Sequence, residues 1–290
     1  MRTILVLVSL VTLSFAAGCG GESTASGDAE TDVVAAFYPL AWAAEQVGGE
    51  GVRVRNLIPP GAEPHDVELT PRDVERIRSA DVVFYLGSGF QPAVENAVEG
   101  ADGKTVDLLQ GGKLLRPAED EGELTADPHV WLDPLRYADI ARTIAETLGH
   151  SEHAEALVGE LRALDEEFRR GLATCERKEV VTTHASFGYL VRRYGLEQVP
   201  LTGLSPEAEP TPRDLERTVA RVRSSGATTI YFETLISPRL AETVARETGA
   251  ETAVLNPLEG LSKEELDRGA DYLSVMRENL AALRRGLACR

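Results

Sequence analysis

A chain of 290 residues with 43% hydrophobic side chains can bury the core of one large domain or two smaller ones, which excludes wholesale disorder. Its formal net charge of −17 argues against nucleic acid, whose phosphates would be repelled, and is compatible with attracting cations. With five histidines and three cysteines, any metal or redox chemistry has few residues to draw on.

Residues 1–18 read as an export signal outside the fold. Arg2 supplies the positive start, an apolar run spans Ile4 to Ala17, and small residues precede Cys19. The run is too short for an ordinary membrane span. The stretch Leu13-Ser14-Phe15-Ala16-Ala17-Gly18-Cys19 resembles the tail of bacterial lipoprotein signals. That resemblance implies cleavage before Cys19 and lipid on its sulfur and new amino terminus, where several acyl chains anchor more firmly than one. Residues 19–30, rich in Gly, Ser, Ala and acids, then form a flexible tether.

From Asp32 onward, strand and helix signals alternate. Asp32 to Tyr38 is rich in β-formers and meets Pro39, Leu40 to Val47 reads as a helix ended by Gly48-Gly49, and Val52 to Leu57 is the next strand. A loop carries His65, and Thr70-Pro71 then starts a helix with a cap and a first-turn proline. Asp81 to Leu86 is a buried-type strand, Gln91 to Glu99 a helix, and Thr105 to Leu109 a short strand. This order predicts a parallel sheet covered by helices, in which ligands collect beyond the carboxyl ends of strands. An acidic loop over residues 111–126 contains no histidine. It leads into Asp127-Pro128-His129-Val130-Trp131-Leu132-Asp133-Pro134, and Pro134 opens a helix to about Leu148.

Residues 151–174 read as a connector helix, with Ala154, Leu157, Leu161, Leu164 and Phe168 at spacings of three and four. His150 and His153 stand at its front. They could bind a metal weakly, but at a helix start they read as ordinary surface side chains. The connector divides a first lobe, residues 31–150, from a second, residues 175–290. In the second, a strand from Glu179 to Thr183 ends at His184, with a helix expected over Ala185 to Tyr194. A loop holds Glu209, and Thr211-Pro212-Arg213-Asp214 repeats the helix start at Thr70. Strands at Thr228–Phe232 and Thr252–Leu255 run into Glu233 and Asn256, and a last helix spans Asp271 to Leu287. In an oxidising compartment Cys175 and Cys289 invite one disulfide that clamps the C-terminus to the middle of the chain, against the alternatives of free thiols or metal ligands.

His65, His129 and His184 fall in short punctuated segments beyond expected strand ends. Three neutral imidazoles suit zinc and leave one tetrahedral position for Asn256, Glu233, Glu259, Glu209 or water. A hydrolase could use the same three histidines, with Glu233 or Glu209 as base. The chain lacks the close ligand pair of a His-Glu-x-x-His helix. Asp66, Glu68 and Asp133 are candidates to orient the imidazoles.

Three segments carry a resemblance: Pro60 to Pro71 around His65, Asp127 to Pro134 around His129, and Thr183 to Leu190 around His184. With Glu207-Ala208-Glu209-Pro210, Asn256 to Gly260 and Tyr272 to Leu280, they resemble, in order, the metal-binding lipoproteins of zinc and manganese ABC importers. The resemblance implies an α/β fold of two similar lobes, each a mainly parallel sheet flanked by helices, joined by one long rigid helix, with the metal in the interlobe cleft. It implies His65, His129 and His184 as ligands and no enzymatic activity. It further implies a lipid-anchored monomer at the outer face of the cytoplasmic membrane. This monomer would bind no nucleic acid and would pass its ion to an integral-membrane permease with a cytoplasmic ATPase. Two features depart from the family. Its frequent fourth ligand, an aspartate, aligns with Asn256, and the histidine-rich loop of many zinc members is replaced by the acidic one. His184 in place of a carboxylate favours Zn(II) as cargo over Mn(II).

Overall fold

The computed structural model describes residues 30–116, 124–206 and 211–290; the expected signal, Cys19 and Glu209 lie outside them. The first half alternates β1 (Thr31–Ala35), α1 (Tyr38–Gly48), β2 (Val52–Asn56), α2 (Pro71–Ser79), β3 (Val82–Tyr85), α3 (Pro92–Val98) and β4 (Lys104–Asp107). A 3-10 turn at Val130–Leu132 then leads to α4 (Pro134–Leu148) and α5 (Ser151–Gly171). The second half runs β5 (Glu179–Thr182), α6 (Gly188–Arg193), β6 (Glu197–Pro200), α7 (Pro212–Ser225), β7 (Thr229–Phe232), α8 (Arg239–Thr248), β8 (Glu251–Val254), α9 (Lys263–Asp267) and α10 (Tyr272–Gly286).

Each half builds one four-stranded sheet, ordered β2-β1-β3-β4 and β6-β5-β7-β8, with every pairing parallel. The two sheets thus share one topology, and all their carboxyl ends deliver loops rather than hairpins. Local chemistry sets the helix ends. Asp133 accepts hydrogen bonds from the backbone N–H groups of Leu135 and Arg136, Pro134 opens α4, and Gly149 closes it at φ 79°. Thr70 and Asp73 form a reciprocal cap at the start of α2. The helix expected from Ala185 begins only at Gly188. The Ala185 N–H donates to the Gly203 carbonyl at 2.8 Å and Gln198 Nε2 to the His184 carbonyl at 3.0 Å, which hold that segment as a loop.

α5 buries Ala154, Leu157, Val158, Leu161, Leu164 and Phe168 against α1 and α4 on one side and α10 on another. This stripe belongs to a large apolar cluster that reaches Leu255 and Leu258 in the second half. A smaller cluster around Val181, Val222, Ile230 and Val244 fills the space between the second sheet, α7 and α8. Arg193 of α6 donates to Asp165 of α5 at 2.5 Å and lies 3.3 Å from Asp133, the cap of α4. Cys175 and Cys289 are joined in a disulfide across 114 positions of sequence. No helix of the described residues is long and apolar enough to cross a membrane.

Candidate metal centre

Four buried side chains converge beyond the strand ends: His65, His129, His184 and Glu259 offer ligand atoms all within 4.8 Å of one another. Glu259 Oε1 is the focus. It lies 3.4 Å from His65 Nε2, 3.0 Å from His129 Nε2 and 3.2 Å from His184 Nε2. His129 Nε2 and His184 Nε2 are 3.4 Å apart. The other oxygen, Glu259 Oε2, is buried without a hydrogen-bond partner. An array of three imidazole nitrogens and one carboxylate, withdrawn from water, is a donor set for a borderline divalent cation.

Each group arrives on a loop that its own residues pin. After β2, Gly61 turns the chain at φ 83° and donates its N–H to the Leu261 carbonyl at 2.9 Å, tying the His65 loop to the Glu259 loop. Gln91 Nε2 holds the Pro64 carbonyl at 3.2 Å. The Phe90 ring meets the His65 ring edge to face at 4.8 Å, and Phe37 and Trp131 continue this aromatic wall. Trp131 in turn donates its indole N–H to the Pro257 carbonyl at 2.8 Å.

His65 and His129 both follow an acid and a proline, Glu63-Pro64 and Asp127-Pro128. In both, the acid accepts the histidine backbone N–H, at 3.0 Å in each case. The shorter Asp127 also reaches His129 Nδ1, at 2.8 Å, and so directs Nε2 toward Glu259. His184 Nδ1 is held by Glu233 at 2.6 Å, and Glu233 also accepts the Thr183 hydroxyl.

Of the candidates for a fourth donor, Glu209 lies outside the described residues, and the other three separate clearly. Glu259 stands with the three imidazoles, while Glu233 lies on the far nitrogen of His184. Asn256 is turned into the frame. Its Nδ2 donates to Thr234 Oγ1 at 3.1 Å and Glu265 Oε1 at 3.0 Å, and its Oδ1 accepts the Leu258 N–H at 2.8 Å. Asn279 of α10 clasps its backbone through both N–H and carbonyl. Beside it, Leu258 is a buried, non-glycine residue at φ 58°, a left-handed conformation that packing must sustain. It turns the chain so that Glu259 points inward.

The expected orienting residues need correction. Asp66 and Glu68 are exposed, and Asp133 caps α4 and pairs with Arg193; the partners of the imidazoles are Asp127 and Glu233. The repeated acid-Pro-His order was a sequence signal for Asp127, because such an acid closes a local turn on the backbone two residues on. Glu233 carried no comparable local signal.

Burial penalises the charged form of every group here, and its neighbours decide the outcome. It pushes His65 below its ordinary value, outweighing the bond to Glu259. For His184, burial is overcome by the charges of Glu233 and Glu259, which hold the imidazole well above its ordinary value. His129 is raised because its bonds to Asp127 and Glu259 outweigh burial. Burial would also raise Glu259, but His184, His129 and His65 hold it well below. Glu63, close by, is pushed up to about 9 by burial and by the charge of Glu259.

A two-sheet α/β frame with a buried His3Glu cluster at its strand ends defines a metal-binding protein of the solute-binding kind. The chain belongs to the ZnuA family, described as zinc-uptake complex component A, periplasmic, whose model matches residues 33–286. It is 36% identical over 297 residues to the high-affinity zinc uptake system protein ZnuA of Bacillus subtilis, with 93% of each chain covered. It is 35% identical to the zinc-binding lipoprotein AdcA of Streptococcus pneumoniae, with 98% of this chain aligned but only 61% of AdcA spanned. Among solved structures, the Zn(II)-bound ZnuA-like domain of that AdcA superposes with a TM-score of 0.74 at 35% identity, covering 89% of this chain and 99% of the domain. The laminin-binding protein Lmb of Streptococcus agalactiae superposes at 0.80 with 31% identity and the same coverage of each chain.

Proposed function

We propose that this protein captures Zn(II) outside the cytoplasm and delivers it to an ABC permease driven by a cytoplasmic ATPase. His65, His129, His184 and Glu259 are the ligands in this reading. The observation that carries it is the convergence of three imidazole Nε2 atoms on one buried carboxylate oxygen. Three nitrogens and one oxygen suit four-coordinate zinc, whereas manganese prefers more oxygen. Family membership, and zinc in the names of the relatives above, support the same cargo. Four protein donors close the tetrahedron, which favours holding an ion over the open position a catalytic zinc keeps for water.

The finer features follow the same reading. Lipid on Cys19 tethers a monomer to the outer face of the cytoplasmic membrane, as the lipoprotein relatives suggest. Two lobes, residues 31–150 and 175–290, move little about the connector, residues 151–174. Release then comes from local change near His184 and Glu233. A large change in scattering radius on zinc addition would contradict that part.

Competitive titration of stripped, lipid-free protein with zinc and manganese, in wild type and His129→Ala, tests the whole. Tight one-to-one zinc binding, weaker manganese binding and loss in the variant are expected. Preference for manganese would overturn the cargo, and unchanged zinc affinity in the variant would overturn the site.

A further inference from the structure

A second cluster of metal-ligating side chains lies away from this centre, where α5 begins. His150, Glu152 and His153 present ligand atoms within 4.8 Å of one another. By sequence they were surface residues at a helix start; the structure adds three facts. The two imidazole rings are stacked almost parallel, at 4° and 5.1 Å between centroids. His153 Nδ1 lies 3.1 Å from the carbonyl of Val47 at the end of α1. A carbonyl can only accept, so Nδ1 carries the proton and Nε2 keeps its lone pair for a metal. Last, Gly49 sits beneath the ring at φ 69°, where an added Cβ would stand 2.8 Å from His153 Cε1. The imidazole packs over a position that carries no side chain.

We propose that His150 and His153, with Glu152, form a second, exchangeable site for one borderline divalent ion such as zinc or nickel. The carbonyl behind His153 does for this imidazole what an outer-shell partner does in a built metal site, fixing both tautomer and direction. Glu152 Oε1 stands 4.0 Å from His153 Nε2 and supplies the anionic donor. Two imidazoles select borderline ions over magnesium or calcium, which take oxygen cages. Solvent completes the coordination, because Glu152 and His153 are exposed. Exposure, and the positive end of α5, make this site weaker than the buried one.

Zinc titrated calorimetrically into tag-free, metal-stripped protein should give two equivalents, one tight and one weak. His150→Asn leaves the Val47 hydrogen bond of His153 in place, so it should remove the weak equivalent alone without shifting the thermal midpoint of the ion-free protein. Glu259→Gln should weaken the tight event and leave the weak one, which separates this site from the buried centre. A single equivalent in wild type, or a weak equivalent that survives His150→Asn, overturns the proposal.

Discussion

The loops that bring His65 and His184 together are built from different materials, although they rise from sheets of one topology. His65 rests against Phe90 in an aromatic wall that belongs to the large apolar cluster. His184 is embedded in charge, with Glu233 on one ring nitrogen and Glu259 on the other. The second sheet also packs part of its surface into a separate, smaller cluster. Burial therefore dominates at His65 and lowers its proton affinity, while carboxylates dominate at His184 and raise it. His65 sits against a dry, fixed wall; His184, with a carboxylate on each ring nitrogen, sits where charge sets how firmly a cation, or a proton, is held.

The strongest way to break that contrast is to remove the charge on which all three imidazoles converge. Glu259→Gln keeps the shape and deletes the anion. Zinc affinity should fall by more than about 100-fold, beyond the ~10–100-fold that loss of an outer partner costs. Competition against a chromogenic chelator would measure it. If the variant binds zinc as wild type does, the cation is not held where the four side chains meet.

The partners behind the imidazoles come next. Glu233→Gln and Asp127→Asn should each lower zinc affinity by about 10–100-fold. Glu233→Gln should be the more costly, because that carboxylate also receives the Thr183 hydroxyl. Equal, negligible effects in the same competition assay would reduce both acids to packing.

Protons should compete with zinc most strongly at His184, and also at His129, which its bonds to Asp127 and Glu259 raise. In the ion-free protein His184 retains its proton to a higher pH than an ordinary histidine, and zinc must displace it. Affinity should therefore rise with pH and fall, by about tenfold per unit for each proton displaced, as pH drops below that raised value. His65, with its lowered proton affinity, adds competition only at more acid pH. Glu233→Gln should flatten the profile, and a wild-type affinity constant from pH 5.5 to 7.5 would exclude proton competition.

Much of this was legible in the sequence because it is written locally. Pro134 opens α4 and the helix runs to Leu148 as expected, with Asp133 found as its cap and Gly149 as its left-handed stop. Alternating strand and helix signals gave the parallel order, and punctuated segments gave His65, His129 and His184. What escaped was non-local. Whether Asn256, Glu233 or Glu259 faces the histidines depends on the turn at Leu258, on Asn279 from α10 and on the Trp131 bond to Pro257, none of which leaves a periodic or neighbouring trace. His150 and His153 looked ordinary because the carbonyl of Val47 and the gap at Gly49 come from α1 and its end, about a hundred residues upstream.

The finest test separates holding the ion from holding the loop. Asn256 is the expected counterpart of the liganding aspartate that the family resemblance implies, yet its amide is spent on Thr234, Glu265 and Leu258. Asn256→Ala leaves the buried Glu265 without that donor and frees the turn that aims Glu259. Stability in urea should drop by about 1–3 kcal/mol, the cost of unmade buried hydrogen bonds. Zinc affinity should fall less than it does in Glu233→Gln, since no donor and no partner of an imidazole is lost. If instead Asn256→Ala abolished zinc binding with the fold intact, the asparagine would be a ligand, and Glu259 would lose its place as the fourth donor. A stability loss with affinity largely kept would mean that the second half carries its ligand one turn further along the chain, on a loop that Asn256 braces.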